Sequence, residues 1–586
     1  MTATNQEVAD LLRRMGTLLE IKGEVVFKHR AYDKAADHIL ALDEDLRAIK
    51  EAGRLTGIPG IGKTLAEKIA EYLDTGRLGA YERLIQEVPE SIIEVIQVPS
   101  VGPKKAKLFW DRLKIKDVDG LEQAARKGRL LGLPGIQQKT VDNILQGIAL
   151  RCATTERMNL GSALRLAEEI IAQLRPMPEI RLIEYAGSLR RMKETVGDID
   201  LLVATIDGSE RSAAAVMDRF VHLPMVQRIQ AEGVTKSSVI TVENVQVDLR
   251  VVDQDCFGAA WLYFTGSKGF NVRLRQTAKR KGLKVSEYGV FETNHQKETL
   301  LAGQTEQACF QALGLPYIVP EIREEHPDRD LFQPGFHPPK LITIDDIRGD
   351  LHTHSTWSDG IETIETMALA AKQRGYRYLA VTDHSQRLKV ARGLNADRLQ
   401  AKHDEIRALN AKWKDIHIFF GVEVEIDANG ELDYTLEILK TFDIVIAAIH
   451  TGLTQTKEQL TRRLIKACEH PCVHIIAHPT GVHLGKRAPY EIDFARVCRA
   501  AAANHVCLEV NASCVRLDLD SEHIYEALAH GVTLAVNTDA HRTEHLDFMR
   551  LGVGIARRGW TPPDKVINTW SLETLKKFLR QKGAVT

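Results

Sequence analysis

At 586 residues, with 27% charged and 44% hydrophobic side chains, the chain is long enough for about three to five domains. A net charge of −1 excludes a protein that grips polyanions by bulk charge, and no apolar run reaches the ~18 residues of a membrane-spanning helix. "MTATNQEVADLLRRMG" sets charges where a signal peptide needs an apolar core, so a cytoplasmic protein is expected. Residues 5–150 predict helices punctuated by short Gly/Pro turns. Three of these turns are alike: "GIPGIGKT" at Gly57, "VPSVGPKK" at Val98 and "LPGIQQKT" at Leu133. The first also matches GxxxxGK[ST] through Gly57, Gly62, Lys63 and Thr64, but a phosphate-binding loop needs a buried strand before it, and "DEDLRAIKEAGRLT" is polar and helical. All three read as helix-hairpin-helix turns, whose backbone N–H groups at a helix start hold a DNA phosphate without reading sequence. Residues 101–150 carry ten Lys or Arg against five Asp or Glu, concentrated in "GPKKAKLFWDRLKIK". Gly57, Gly60, Gly62, Lys63, Gly102, Lys104 and Lys105 are the candidate DNA contacts.

Residues 181–252 read as strands. Within them "ETVGDIDLLVAT", Glu194 to Thr205, sets Asp198 and Asp200 into an apolar run. On a strand, residues two apart share a face about 6.6 Å apart, which leaves Ile199, Leu201 and Val203 to the buried side. Two carboxylates about 5 Å apart repel by roughly 3 kcal/mol at an effective dielectric near 20, so the pair asks for a divalent cation. Upstream, "IEYAGSLRR" ends a strand in Gly187 and Ser188. Downstream, "VQVDLRVV" alternates, with Asp248 and Arg250 opposite the valines and Leu249. A third carboxylate on a neighbouring strand would complete a two-metal site that activates a hydroxyl and holds a triphosphate.

Six of the nineteen prolines lie between Leu315 and Lys340, which predicts an extended linker dividing the chain into two halves. Beyond it, strand-like and helical runs alternate, the pattern of a parallel α/β domain. The strand-like runs end in ligand-type residues: "RGDLHTHS", "YLAVTDHS", "IFFGVEVEI", "IVIAAIHTG", "VHIIAHPTG", "CLEVNAS" and "TLAVNTDAH". Seven such ends at one rim describe a barrel with its active site at the strands' carboxyl ends. One histidine there is usually a satisfied core group; one on nearly every strand end points to metal. The eight cysteines, with no CxxC pair, read as buried reduced thiols, Cys468 and Cys472 among them.

The series "GSLRRMKETVGDID", "VDLRV", "YFTGSKGFNVRLRQTAKRKG" and "SEYGVF" resembles the palm and thumb of family X DNA polymerases, relatives of polymerase beta. With the hairpins, the likeness spans nearly all of residues 1–318. It implies that Asp198, Asp200 and Asp248 bind two magnesium ions and that Ser188 and Arg191, beside Gly187, contact an incoming triphosphate. Tyr263, Phe264, Gly266 and Asn271 would line the nucleotide pocket, with Arg275 near the template. Lys268 departs from polymerase beta, which carries an acid there; a lysine would add a phosphate contact. The family's amino-terminal domain can also bear a lyase lysine that forms a Schiff base with an abasic sugar. Lys68 in "GKTLAEKIAEYL" falls at the matching place, with Lys28 and Lys63 as candidate neighbouring cations that favour a neutral amine.

The second half resembles the polymerase and histidinol phosphatase (PHP) domain across residues 346–586. Matched residue by residue, His352, His354, Asp359, His384, Glu423, His450, His478, Asp539 and His541 would ligate up to three metals. Mixed imidazole and carboxylate donors suit manganese, iron or zinc better than magnesium. The fold class implied is multidomain: a helix-hairpin-helix domain at 1–85, a second at 86–150, an α+β nucleotidyltransferase palm at 151–255, a thumb at 256–318, the linker at 319–345 and a distorted seven-stranded (βα)7 barrel at 346–586. The function implied is a monomeric gap-filling repair polymerase joined to a metal-dependent 3′-5′ exonuclease, also suited to cutting at abasic sites or removing 3′ phosphates. Its partners would be gapped or primed DNA and deoxynucleoside triphosphates. A small-molecule phosphoesterase fused to a template-independent transferase is opposed by the hairpins, because a small substrate needs no DNA grip. An inert scaffold is opposed by the complete ligand sets.

Overall fold

The computed structural model describes residues 5–583 apart from 25, 41, 43–44, 97, 99–100, 156, 295–296 and 327–328. It divides into two compact units, one up to Thr155 and one from Glu156 onward.

The first unit is helical. Helices Leu46–Glu51 and Lys63–Thr75 flank the first predicted turn, Ile92–Ile96 and Pro103–Leu113 the second, and Val118–Arg126 and Gln138–Thr155 the third. Gly60, at φ +80°, and Gly135, at φ +76°, take a left-handed conformation that a Cβ would strain. Gly62 and Gly102 cap the helices that follow. A helix and the 3-10 turn Leu55–Gly57 precede the first hairpin, so the phosphate-loop reading stays excluded. Pro99 and Ser100 of the second turn lie outside the described residues. One apolar cluster runs from Val8 through Leu12, Ile69 and Phe109 to Ile148. The sequence boundary near residue 85 therefore falls inside a single core, and Lys107 Nζ crosses it to donate to the Ile21 carbonyl at 3.1 Å.

The second unit opens on a five-stranded sheet in the order Ile180–Tyr185, Asp198–Thr205, Gln246–Val252, Lys236–Thr241, Val226–Ala231. The predicted run of strands is interrupted by helix Glu210–Val221, whose Val216, Met217 and Phe220 join the core beneath the sheet. The opposite face, at Leu202 and Ala204, is covered by Phe257 and Ala260 of helix Phe257–Thr265. Helix Lys268–Arg280 and three antiparallel strands, Leu283–Ser286, Gly289–Asn294 and Lys297–Ala302, follow.

The predicted barrel is present. Strands Gly349–Thr353, Tyr378–Val381, His417–Glu425, Ile444–Ala448, Ile475–Ile476, Cys507–Asn511 and Leu534–Asn537 pair in parallel in chain order. Thr353 bridges Ala540, so the first strand meets the end of the last. Being buried on both faces, these strands read as continuous apolar runs rather than alternating ones. The cysteines whose side chains are described are free, and Cys468 and Cys472 are buried.

The proline-rich stretch is a packed strap, not an extended linker. Arg323 is fully buried, and Ile322, Leu331 and Leu341 pack with Phe270, Leu274 and Phe310. Proline content measured the stiffness of this segment; the apolar residues between the prolines decide that it adheres. Nor do the two predicted halves separate. A single apolar cluster contains Leu164, Ile199 and Phe220 from the sheet region together with Val381, Ile476 and Val536 from the barrel. Barrel helix Met549–Arg558 carries much of the join. A Cβ on its Gly554 would stand 2.9 Å from Met192 Cγ, and its Arg550 holds Glu168 through two bonds of 2.6 and 2.9 Å.

Candidate active sites

The aspartates come together because two parallel strands are paired in one register. Asp200 lies opposite Asp248, and Asp198 opposite Gln246, so three carboxylates lie together at the edge where these two inner strands begin. Burial first, then the charges of Asp198 and Asp248, push the Asp200 pKa up to about 7. Burial would raise Asp248 as well, but hydrogen bonds from Ser238 and Gln246 and the Lys236 ammonium, 3.4 Å away, outweigh it and hold it low. An edge that raises one carboxyl this far fits a cation as its missing counter-charge. Gly187 sits directly against it: at φ +61°, an added Cβ would lie 2.3 Å from Asp200 Oδ2. The Ala186 amide fixes the approach by donating to the Asp200 carbonyl at 2.8 Å.

The adjoining turn divides its two arginines. Arg190 is buried, stacked 3.3 Å over the Trp261 ring and paired to Glu306, which Arg323 of the strap also holds. Burial would raise Glu306, yet the two guanidiniums prevail and hold it at about 2. Arg191 instead bonds the Thr265 carbonyl at 2.5 Å and Glu324 at 2.8 Å. Ser188 is half-exposed beside it. Helix Phe257–Thr265 ends at Gly266, φ +69°, and Ser267 caps helix Lys268–Arg280. That turn gathers the remaining pocket residues. Asn271 donates to the Tyr263 carbonyl at 2.6 Å, Tyr263 and Phe264 meet edge to face at 5.2 Å, and Arg275 Nε donates to the Asn271 carbonyl at 3.3 Å. Lys268 is exposed at the helix start.

At the barrel rim, all nine histidine-site residues converge. Glu423 is the hub: His384 Nδ1 lies 2.9 Å from it, His478 Nε2 3.0 Å, His450 Nε2 3.3 Å and His352 Nε2 3.4 Å. Asp359 receives His384 Nε2 and His541 Nε2 at 3.5 Å each and His354 Nδ1 at 3.6 Å, while Asp539 lies 3.2 Å from His354 Nε2. Three groups have ligand atoms within 4.8 Å of one another: His354, Asp359, His384 and His541; His352, His354 and Asp539; His384, Glu423 and His450. His352 Nε2, both ring nitrogens of His354 and His478 Nδ1 are buried without a hydrogen-bond partner. Leaving several such atoms unpaired is costly, and metal ions are the partners this donor set fits. Burial and the neighbouring His541 and His384 lower His354 to about 4; burial would lower His384 too, but Glu423 and Asp359 raise it to about 10.

The sequence missed the residues that aim these ligands. Glu509, fully buried, takes His352 Nδ1 at 2.7 Å and the His478 amide at 2.8 Å; Glu425 takes His450 Nδ1 at 2.8 Å. Both fix a ring so that its other nitrogen faces the cluster. Their signal was present in the second acid of "GVEVEI" and the acid of "CLEVNAS". Buried Asp383, paired with buried Lys402 at 2.9 Å, holds Ser355 and Ser358 under the same rim.

In the helical unit Gly57, Gly62, Lys63, Gly102 and Lys104 are exposed and Lys105 half-exposed at the predicted turns. Lys68 is half-buried, its Nζ bonded to the Tyr32 hydroxyl and 5.1 Å above that ring. The side chain of Lys28 lies outside the described residues.

Family models match a helix-hairpin-helix domain at residues 3–78, a SAM-like helix-hairpin-helix tandem at 92–149, the DNA polymerase beta thumb at 260–324 and the PHP domain at 350–513. The DNA polymerase/3′-5′ exonuclease PolX of Bacillus subtilis is 40% identical over 98% of this chain and 99% of its own length. Rat DNA polymerase lambda is 27% identical over 55% of this chain and 57% of its own, and a probable phosphatase of Thermoanaerobacter sp. strain X514 is 30% identical over 40% of this chain and 94% of its own. With these family models in one chain and a relative at 40% identity matched over nearly the whole of both lengths, the chain belongs to the bacterial family X DNA polymerases that carry a PHP domain.

Proposed function

We infer that this chain fills short gaps in DNA at the aspartate edge and trims 3′ ends at the barrel rim. The observation that carries this is the register that sets Asp200 against Asp248 beside the Gly187–Arg191 turn, in a chain that also holds the imidazole cluster. Asp198, Asp200 and Asp248 would hold two magnesium ions, which supply the charge that stabilises the triphosphate and activates the primer hydroxyl. Ser188 and Arg191 bind the phosphates, Lys268 adds a cation, Gly266 and Asn271 shape the pocket, and Tyr263 and Phe264 pack beneath the nucleotide, with Arg275 towards the template. At the rim the nine histidine-site residues would hold up to three manganese, zinc or iron ions, which lower the pKa of a bound water for phosphodiester hydrolysis. Glu425 and Glu509 hold the ligand rings in the donating orientation. The hairpin glycines with Lys63, Lys104 and Lys105 grip backbone phosphates, as a monomer in the cytoplasm. Among the described residues no helix is long and apolar enough to cross a membrane.

A labelled primer on a gapped template tests both activities. With nucleotides and magnesium it should lengthen to fill the gap; with manganese and no nucleotides it should shorten from the 3′ end. Neither change in a folded protein would refute the reading. The likeness to a phosphatase favours a second use of the rim, removal of a terminal 3′ phosphate or cleavage at an abasic site, for which a 3′-phosphorylated primer is the substrate to try. Lys68, bonded to the Tyr32 hydroxyl, would attack an abasic aldehyde with loss of water. Borohydride should trap that adduct, and Lys68→Ala should abolish it.

A further inference from the structure

One carboxylate oxygen joins the polymerase turn, the strap and the barrel. Glu324 Oε1 lies 2.8 Å from Arg191 Nε, 3.4 Å from Arg558 Nη1 and 3.9 Å from Lys193 Nζ. Arg558 is the last residue of barrel helix Met549–Arg558 and is 8% exposed. Its Nη1 also donates to the Arg191 carbonyl at 2.9 Å, and its Nε, 3.8 Å from Glu194, makes no hydrogen bond. The barrel thus reaches the backbone and the ion-pair partner of the same arginine. Met192, the next residue, is at φ +54° and packs on Gly554 of that helix. Three cations around one oxygen form an anion site whose occupant is part of the chain.

We propose that Glu324 stands on Arg191 in place of a nucleotide phosphate and passes to Arg558 when the nucleotide arrives, which makes Arg558 a barrel-borne positioning residue for nucleotide addition. The proposal rests on reading Arg191 as a triphosphate contact. A triphosphate carries more negative charge than a carboxylate and takes the Arg191 fork. Glu324 is then a half-buried anion that needs another cation, and Arg558 supplies it with a spare Nε–H. Without Arg558, releasing Arg191 leaves Glu324 with only Lys193, so the exchange becomes costlier and the nucleotide binds less well. With the charge removed from position 324, Arg191 is free from the start and Arg558 no longer matters to binding.

The test is equilibrium binding of the correct deoxynucleoside triphosphate to the full-length protein on gapped DNA with a dideoxy-terminated primer in magnesium. Glu324→Gln should tighten binding and Arg558→Met weaken it, each by about five- to tenfold, the scale of one partly screened ion pair. Arg558→Lys should restore most of the loss, and in the Glu324→Gln background Arg558→Met should change binding less than about twofold. Thermal melting of each variant separates binding loss from unfolding, and Glu324→Gln, a near-isosteric change, carries the test if Arg558→Met does not fold. Unaltered or weaker binding in Glu324→Gln overturns the proposal, as does an Arg558→Met effect of equal size in both backgrounds. If Arg191→Gln itself leaves binding unchanged, the triphosphate reading of Arg191 falls, and the exchange falls with it.

Discussion

Asp200 is a carboxylic acid held where a cation is wanted. Its pKa near 7, set by burial and two neighbouring aspartates, means that protons compete with metal in the neutral range. Because binding needs the anion, magnesium affinity should rise with pH up to about 7 and level off above it. Titration calorimetry in buffers of different ionisation enthalpy should detect about half a proton released per site near pH 7, and Asp200→Asn should abolish that release. Glu306 is the opposite case, an acid held at about 2 by two guanidiniums. A depressed acid contributes stability that is present above its ordinary value near 4.5 and lost as the pH falls through about 2. Glu306→Gln leaves Arg190 and Arg323 buried without their counter-charge and should cost about 3–5 kcal/mol of unfolding free energy. That gap should be full in urea titrations at pH 7 and narrow only below about 4.5. The three aspartates were visible in the sequence because a strand's two-residue period is local. Glu306 was not, because its partners Arg190 and Arg323 are 116 and 17 residues away.

At the scale of single elements, the turn Ala186–Arg191 leaves no room for a side chain at Gly187. Gly187→Ala would need a Cβ 2.3 Å from Asp200 Oδ2 at a positive φ. If the aspartates hold the catalytic ions, the substitution should cut gap filling at least about a hundredfold, since the displaced carboxylates lose their geometry, while barrel hydrolysis of a model phosphodiester stays unchanged. Primer extension and chromogenic hydrolysis on the same preparation check both halves of that statement. The hairpins make a different demand. Gly60→Val with Gly102→Val should weaken binding to gapped DNA about tenfold and flatten its salt dependence, read by anisotropy from low to high salt. Helix Glu210–Val221 shows that more was legible than was read: Ala213, Val216, Met217, Phe220 and Val221 follow helical spacing and are all buried. Its neighbours on both sides are strands, and that context masked a period present in the residues themselves.

For the whole molecule, the shared core predicts how the protein comes apart. Calorimetry should show one transition for the helical unit and one for palm, thumb and barrel together, because a single apolar cluster spans palm and barrel and the thumb's first helix packs on the palm sheet through Phe257 and Ala260. Separate melting of the barrel would contradict that cluster. The two chemistries should nevertheless be divisible by mutation. Asp198→Ala with Asp200→Ala should end nucleotide addition and spare hydrolysis, and His354→Ala with His384→Ala should do the reverse. The sequence by itself determined the local patterns on which each site reading rests: glycine turns before helices, aspartates at strand spacing, and histidines at the ends of strand-like runs are all patterns within about ten residues. Only the tertiary structure decided how the parts are joined. Whether a proline-rich stretch hangs free or lies as a strap depends on apolar surface at Phe270, Leu274 and Phe310, and whether Arg191 faces solvent or Glu324 depends on a counter-charge 133 residues away. No local period records those partners, because burial is shared between surfaces that meet only when the chain has folded.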